Sequence, residues 1–250
     1  MRLFTGAIVI LISLAKTQTG YEIAKMIDKK PVPRFLSNKI EMVMKNSKGK
    51  TREKHIISKS INGGEQQIMW FVKPKTDYGV SFLKIEHENR QDEIRIWLPN
   101  FGKVRRISSK KKSDSFMGSD LSYEDLSNRN LNENNYNRLE DDFVNGIECY
   151  VLDIRPLENL NSSYSKHISW INKSDLTGVK EESYDKSGIL KKKKLFRYSI
   201  LERYSILEYV FIEDIKKNHF TEVYFSDHVL NRDLDKAIFN EKYLQKIPID

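Results

Sequence analysis

Between positions 105 and 125 the chain places two adjacent cations, Arg105 and Arg106, ahead of three carboxylates, Asp114, Asp120 and Asp125. The apolar pair Phe116 and Met117 sits among those carboxylates. Adjacent residues of a strand project to opposite faces, so one arginine is directed inward whichever register the strand takes. A guanidinium meets a carboxylate through paired N–H donors, a geometry able to lock a folded-back loop onto a sheet. These five charges therefore read as loop-pinning groups rather than catalysts. A pinned loop delivers Phe116 and Met117 onto the sheet, either as the wall of an apolar ligand cavity or as core packing, and methionine adapts to ligands of variable shape.

Templates for catalysis are missing. The sequence holds no P-loop, no G-x-G-x-x-G, no G-x-S-x-G and no H-E-x-x-H, and His55, His87, His167, His219 and His228 are scattered without linear ligand spacing. The expectation is a protein that is not an enzyme, with no catalytic residues, no cofactor and no metal. The run Lys191, Lys192, Lys193 and Lys194 reads as a lipid-headgroup contact or as a solvated sheet face. Glu181 and Glu182, one hairpin earlier, could instead pair with these lysines across the strands.

Thr19 and Glu22 have capping-box spacing, Ile23, Ala24 and Ile27 recur at helical intervals, and Pro31 and Pro33 end the segment near Lys29. From residue 37 the period becomes two, with Ile40, Met42 and Met44 on one side and turns at residues 46–49 and 62–64. Further turns fall at Asn145-Gly146 and at residues 185–188, so the pattern predicts a long antiparallel meander. Strands around 68–72 and 94–98 are apolar on both faces, which requires a cover on each: the N-terminal helix, the 113–126 segment or a hydrophobic ligand. Residues 108–137 read as a long loop with one helical turn capped by Ser122 and Asp125, and a short helix is predicted over 240–246. Candidate cavity residues are Met42, Met44, Met69, Phe71, Phe82, Trp97, Phe116 and Met117, although a one-residue register error reverses a strand's inward face.

The amino terminus predicts a compartment. Arg2 precedes a largely apolar run over residues 3–14, with Ser13 and Ala15 as small residues before a cleavage point after Ala15. Residues 1–15 thus read as a cleaved signal peptide and residues 16–250 as a single domain that is soluble once exported. The alternative is a buried first helix. Cys149 is the one cysteine of the 250 residues, so no intrachain disulfide forms, and none follows the leader for lipidation. Loss of Arg2 lowers the formal charge from +8 to +7. Outside the cytoplasm such a basic chain meets no nucleic acid, and its excess charge serves either solubility or contact with anionic lipid.

Residues 97–126, WLPNFGKVRRISSKKKSDSFMGSDLSYEDL, resemble the signature of the LolA-like outer membrane lipoprotein-sorting protein family. Residues 71–83 (FVKPKTDYGVSFL), 145–152 (NGIECYVL) and 184–190 (YDKSGIL) are also similar to that family, so the resemblance spans nearly the whole exported chain. It implies a mainly β fold: a curved antiparallel sheet forming an unclosed half-barrel, with an N-terminal helix, a loop and helix plug, and an apolar concave cavity. The implied function is a periplasmic carrier of lipoprotein acyl chains or another lipid or hydrophobe, in outer-membrane lipoprotein and lipid trafficking, with peripheral rather than integral membrane contact. The family's eponymous carrier lacks the DSFMGSD run, and Lys110, Lys111 and Lys112 replace a short polar link, so cargo and docking are open. The alternative is a non-enzymatic envelope scaffold, or accessory module for an inner-membrane exporter, on the same fold without lipid. An integral barrel is disfavoured by charges on both faces of many strands.

Overall fold

The computed structural model describes residues 17–87, 90–232 and 235–248. The signal segment expected over residues 1–15 lies outside them. Helix α1 (Gly20–Asp28) begins as its sequence dictates: the Thr19 hydroxyl accepts from the Glu22 N–H at 3.2 Å, and Glu22 accepts from the Thr19 N–H at 2.8 Å. Two of the helix's orphan amides are thereby satisfied. Its first residue has to be glycine, because a Cβ at Gly20 would stand 2.8 Å from the backbone nitrogen of Arg138.

Strands β1 (Phe35–Lys45), β2 (Thr51–Ile61), β3 (Gln66–Lys73), β4 (Ser81–Ile85), β5 (Glu93–Leu98) and β6 (Lys103–Arg106) step outward from the middle of the sheet to one edge. Residues 107–133 then cross to the other edge. There the chain re-enters as β7 (Asn134–Arg138), β8 (Asp142–Val144) and β9 (Ile147–Pro156). Strands β10 (Tyr164–Asn172), β11 (Gly178–Asp185), β12 (Leu190–Leu201), β13 (Tyr204–Asp214) and β14 (His219–Leu230) return to pair with β1. The result is one antiparallel sheet, curved and unclosed, whose path of pairing runs from β6 to β7 with β8 beside β9. Register shifts in the β1–β14, β2–β3, β10–β11, β11–β12 and β12–β13 pairs bend the strands that carry them. The Asn145-Gly146 turn has φ values of 51° and 82°, the double positive φ that its sequence predicts.

Both faces of the doubly apolar strands are covered. The inner face, which carries α1 and the crossing loop, holds a cluster of Met42, Met44, Met69, Phe71, Phe82, Ile94 and Ile96. On the outer face Ile68, Trp70, Leu83 and Trp97 pack against Phe239 and Leu244 from the carboxy-terminal segment. That segment is fastened by the Trp70 indole N–H donating to the Tyr243 carbonyl at 3.1 Å and by the Ser81 hydroxyl donating to the Leu244 carbonyl at 2.6 Å. Its covering role was not among the three candidates the sequence offered, because two short 3-10 turns, at Lys236–Ile238 and Glu241–Tyr243, replace the predicted helix over 240–246 and leave little periodicity to read. The predicted helical turn after Ser122 is a 3-10 turn, Glu124–Leu126. Among the described residues no helix is long and apolar enough to cross a membrane.

Candidate functional site

The crossing loop is built to be held down. Met117 and Gly118 both take positive φ, 52° and 83°, reversing the chain so that Ser115 bridges Ser122. The reversal drives Phe116 into an aromatic nest, with ring centroids 5.2 Å from Phe82, 5.7 Å from Tyr123 and 6.0 Å from Phe71. Phe116 is 1% exposed. Such tilted and edge-on ring contacts add to the burial gain.

Two carboxylates fasten the loop to the far half of the sheet. Asp120 accepts from the Thr221 hydroxyl at 2.7 Å and contacts His219 Nδ1 at 2.6 Å, while its own N–H donates to Thr221 Oγ1. Asp125 lies between the ammonium groups of Lys192 and Lys194, each at 2.6 Å, and also accepts from the Tyr164 hydroxyl and the Ser122 N–H. Burial alone would raise the Asp125 pKa, but the charges of Lys194 and Lys192 outweigh it and hold the carboxyl well below the usual range. Glu181 joins the same network through Lys194 at 3.1 Å, Ser169 at 2.9 Å and both terminal nitrogens of Arg129, at 2.5 and 2.8 Å. Against the cost of burial, Arg129 and Lys194 keep it ionised. His167 donates to or accepts from Ser183 at 2.8 Å, and burial together with the Arg129 charge pushes its pKa down to about 3, so it is neutral at neutral pH.

Beside this network the inner face is hollow. A cavity of about 260 Å³ lies between α1 and strands β9 to β12. Ala24 and Ile27 line one side, Leu152, Ile154, Ile171 and Phe196 the sheet side, and Arg129 with Glu181 a charged end.

The predicted cavity residues are therefore distributed otherwise than expected. Met42, Met44, Met69, Phe71, Phe82 and Phe116 share one packed cluster with Met117 at its margin, and none of them lines the cavity under α1. Trp97 lies on the outer face, because its strand neighbours Ile96 and Leu98 take the inner one. Among the predicted loop-pinning groups, Asp120 and Asp125 hold the loop, but their partners belong to β14 and β12 rather than being the arginines. Arg105 and Arg106 are exposed on the edge strand β6, and Asp114 is exposed at the loop's start. The physical reason is reach: once the loop has left an edge strand it passes over the sheet's middle, where Lys192 and Lys194 wait. Of the three readings of the lysine run, cross-strand pairing with Glu181 describes Lys194, and the alternation of β12 turns Lys192 and Lys194 inward. The sequence gives no signal for Arg129 or Tyr164, and shows His167 only as one of five scattered histidines; a largely buried salt network drawn from four separate segments leaves no local spacing to find.

One group among the described residues could hold a metal ion. Glu41, Glu53 and His55 bring their ligand atoms within 4.8 Å of one another through the β1–β2 register, which linear spacing of histidines does not reveal.

Comparison with known proteins agrees with this geometry. A family model described as an uncharacterized protein matches residues 63–246. A structure described as an outer membrane lipoprotein-sorting protein domain from Vibrio parahaemolyticus is 29% identical, with a TM-score of 0.85 over 91% of this chain and 98% of that one. A DUF1329 family protein from Desulfovibrio piger is 27% identical, with a TM-score of 0.86 over 90% and 98%. A LolA superfamily protein from Nitrosomonas europaea, 19% identical with a TM-score of 0.72 over 91% and 100%, shares the fold. Among curated proteins none matches.

Proposed function

This chain belongs to the LolA-like outer membrane lipoprotein-sorting protein family, and from that premise we propose that it is a non-enzymatic carrier of a lipid or other hydrophobe in the cell envelope. The observation that carries the reading is the cavity of about 260 Å³ between α1 and the sheet, walled by Ala24, Ile27, Leu152, Ile154, Ile171 and Phe196. Each methylene withdrawn from water into such a wall stabilises a complex by about 0.8 kcal/mol. The volume sits just below the span of about 300–1,000 Å³ usual for small-molecule sites, so the cavity encloses part of one slim tail. A lipoprotein with several acyl chains would leave most of its apolar surface outside, unless α1 swings away.

Export by residues 1–15 into the periplasm, followed by residues 16–250 acting as one domain, fits this role and the lipoprotein-sorting description of the Vibrio relative. Protein purified from a membrane-containing lysate is expected to carry lipid, detected by native mass spectrometry and organic extraction. A lipid-free protein that also fails to take up added fatty acid or lipopeptide would overturn the carrier reading.

A second reading has its own observation. The inner face beneath the loop is filled by Phe116, Phe71, Phe82 and Tyr123 rather than open, which favours a scaffold or exporter accessory lacking cargo. On that reading Lys110 and Lys111, exposed on the loop, contact an envelope protein, and replacing them abolishes its capture while lipid content stays nil.

A further inference from the structure

At the charged end of the cavity under α1 the wall carries Arg129, Glu181 and Lys180, the last paired with Glu182 at 2.8 Å. Lys192, Lys194 and Arg129 are joined through Asp125 and Glu181 into one connected network of three cations and two anions. Asp214, buried and the cross-strand neighbour of Lys192, lies close enough to feel its charge and also pairs with the exposed Lys217 at 2.9 Å. Glu124 receives Ser162 and Ser163, His167 is neutral, and Asp28, the other acid lining the cavity, is exposed at the end of α1. Lys192, Lys194, Asp125 and Glu181 are buried, whereas the Arg129 side chain is 34% exposed, so its guanidinium is the member of the network that an incoming anion can reach.

Arg129 is the member of the network that faces the cavity and still has donors to give. It commits one N–H of each terminal nitrogen to Glu181. Its Nε–H and the second N–H of each terminal nitrogen have no acceptor among the described residues. Pairing with Glu181 also fixes the guanidinium plane, so those donors are already oriented when a ligand arrives. From Arg129 the apolar wall continues through Leu152, Ile154, Ile171 and Phe196 toward Ala24 and Ile27 on the helix.

We propose that this cavity selects a single-chain amphiphile ending in a carboxylate, a fatty acid, with the carboxylate on the uncommitted N–H groups of Arg129 and the tail along the wall under α1. The proposal rests on the carrier reading and adds the head-group chemistry to it. Leucine and isoleucine walls hold a tail without regard to its head. The network supplies the discrimination: a carboxylate gains charge-assisted hydrogen bonds that an alcohol of the same length does not.

Displacement of an environment-sensitive fluorescent probe by dodecanoate and by dodecanol tests this on the full chain. Dodecanoate is expected to bind about ten- to a hundredfold more tightly, as hydrogen bonds to charged groups imply. Arg129→Lys, which keeps the positive charge for Glu181 but loses the forked donors, should reduce that preference to about threefold or less while leaving dodecanol affinity in place. Ile171→Trp, placed in the wall away from the charges, should weaken both ligands alike. Equal affinity of the two ligands for the wild-type protein overturns the carboxylate proposal and leaves the carrier reading standing. Failure of both ligands to displace probe overturns the carrier reading and the proposal together. The wild-type comparison decides the matter even if Arg129→Lys does not fold.

Discussion

Under the crossing loop the inner face is apolar and full, whereas under α1 it is partly hollow and bounded at one end by charge. The same curved sheet supplies both floors. What differs is the cover: the loop is a short-range structure with a side chain, Phe116, aimed into the sheet and two carboxylates fastening it, while α1 lies over the sheet on small and medium residues such as Ala24 and Ile27. A cover that inserts an aromatic ring excludes a ligand, and a cover that spans a gap leaves room for one. The plugged half stabilises the fold, and the open half is where cargo binding is placed by the carrier reading.

Breaking the fastening should produce the largest effect. Asp125→Ala strands the buried Lys192 ammonium and leaves Lys194 with Glu181 alone, and removal of one partner of a buried pair costs about 3–5 kcal/mol, so the melting temperature should fall steeply. The same groups set an acid limit. Asp125 and Glu181 are held below their unfolded values of about 3.9 and 4.3, so their contribution is present above that range and is lost as pH falls toward the folded values. Melting followed from pH 7 downward should show stability decreasing below about pH 4, with a shallower decline in Asp125→Asn. An unchanged profile would detach Asp125 from this role.

Emptying the plug comes next. Phe116→Ala removes a buried ring and should cost about 3 kcal/mol or more, yet the fraction that stays folded should bind a fatty-acid probe as the wild type does. Loss of probe affinity with little loss of stability would place the ligand under the loop instead. A third test concerns the helix. Gly20→Ala forces α1 away from β7 and should cost about 1–3 kcal/mol, with altered probe binding because the cavity is bounded by that helix. The smallest effect is expected at the edge: Arg105→Ala and Arg106→Ala should change stability by within about 0.5 kcal/mol, since both side chains are exposed.

This contrast also explains what the sequence could disclose. Alternation in β1, the doubly apolar runs of β3 and β5 and the turns between strands predict the sheet, the capping box predicts α1, and the DSFMGSD run predicts an ordered loop, because each depends on residues close in the chain. The candidate site depends instead on register and on distant encounters. Met42, Met69, Phe71 and Phe82 have the composition of a cavity wall, but residues 113–126 occupy the space in front of them. Leu152, Ile154, Ile171 and Phe196 have the composition of ordinary core, but the helix above them stops short of filling the gap. Lys192 and Lys194 read as surface because a four-lysine run usually is, and only the position of Asp125 over β12 turns them into anchors.

Whether a hydrophobe lies under α1 or under the loop is decided by adding a nitroxide-labelled fatty acid to protein with isotope-labelled methyl groups. Binding under α1 broadens the Ala24, Ile27, Leu152, Ile154 and Ile171 methyls and leaves the Met42, Met44 and Met69 methyls sharp. Broadened methionines with sharp signals from the five residues under the helix would instead put the ligand under the loop.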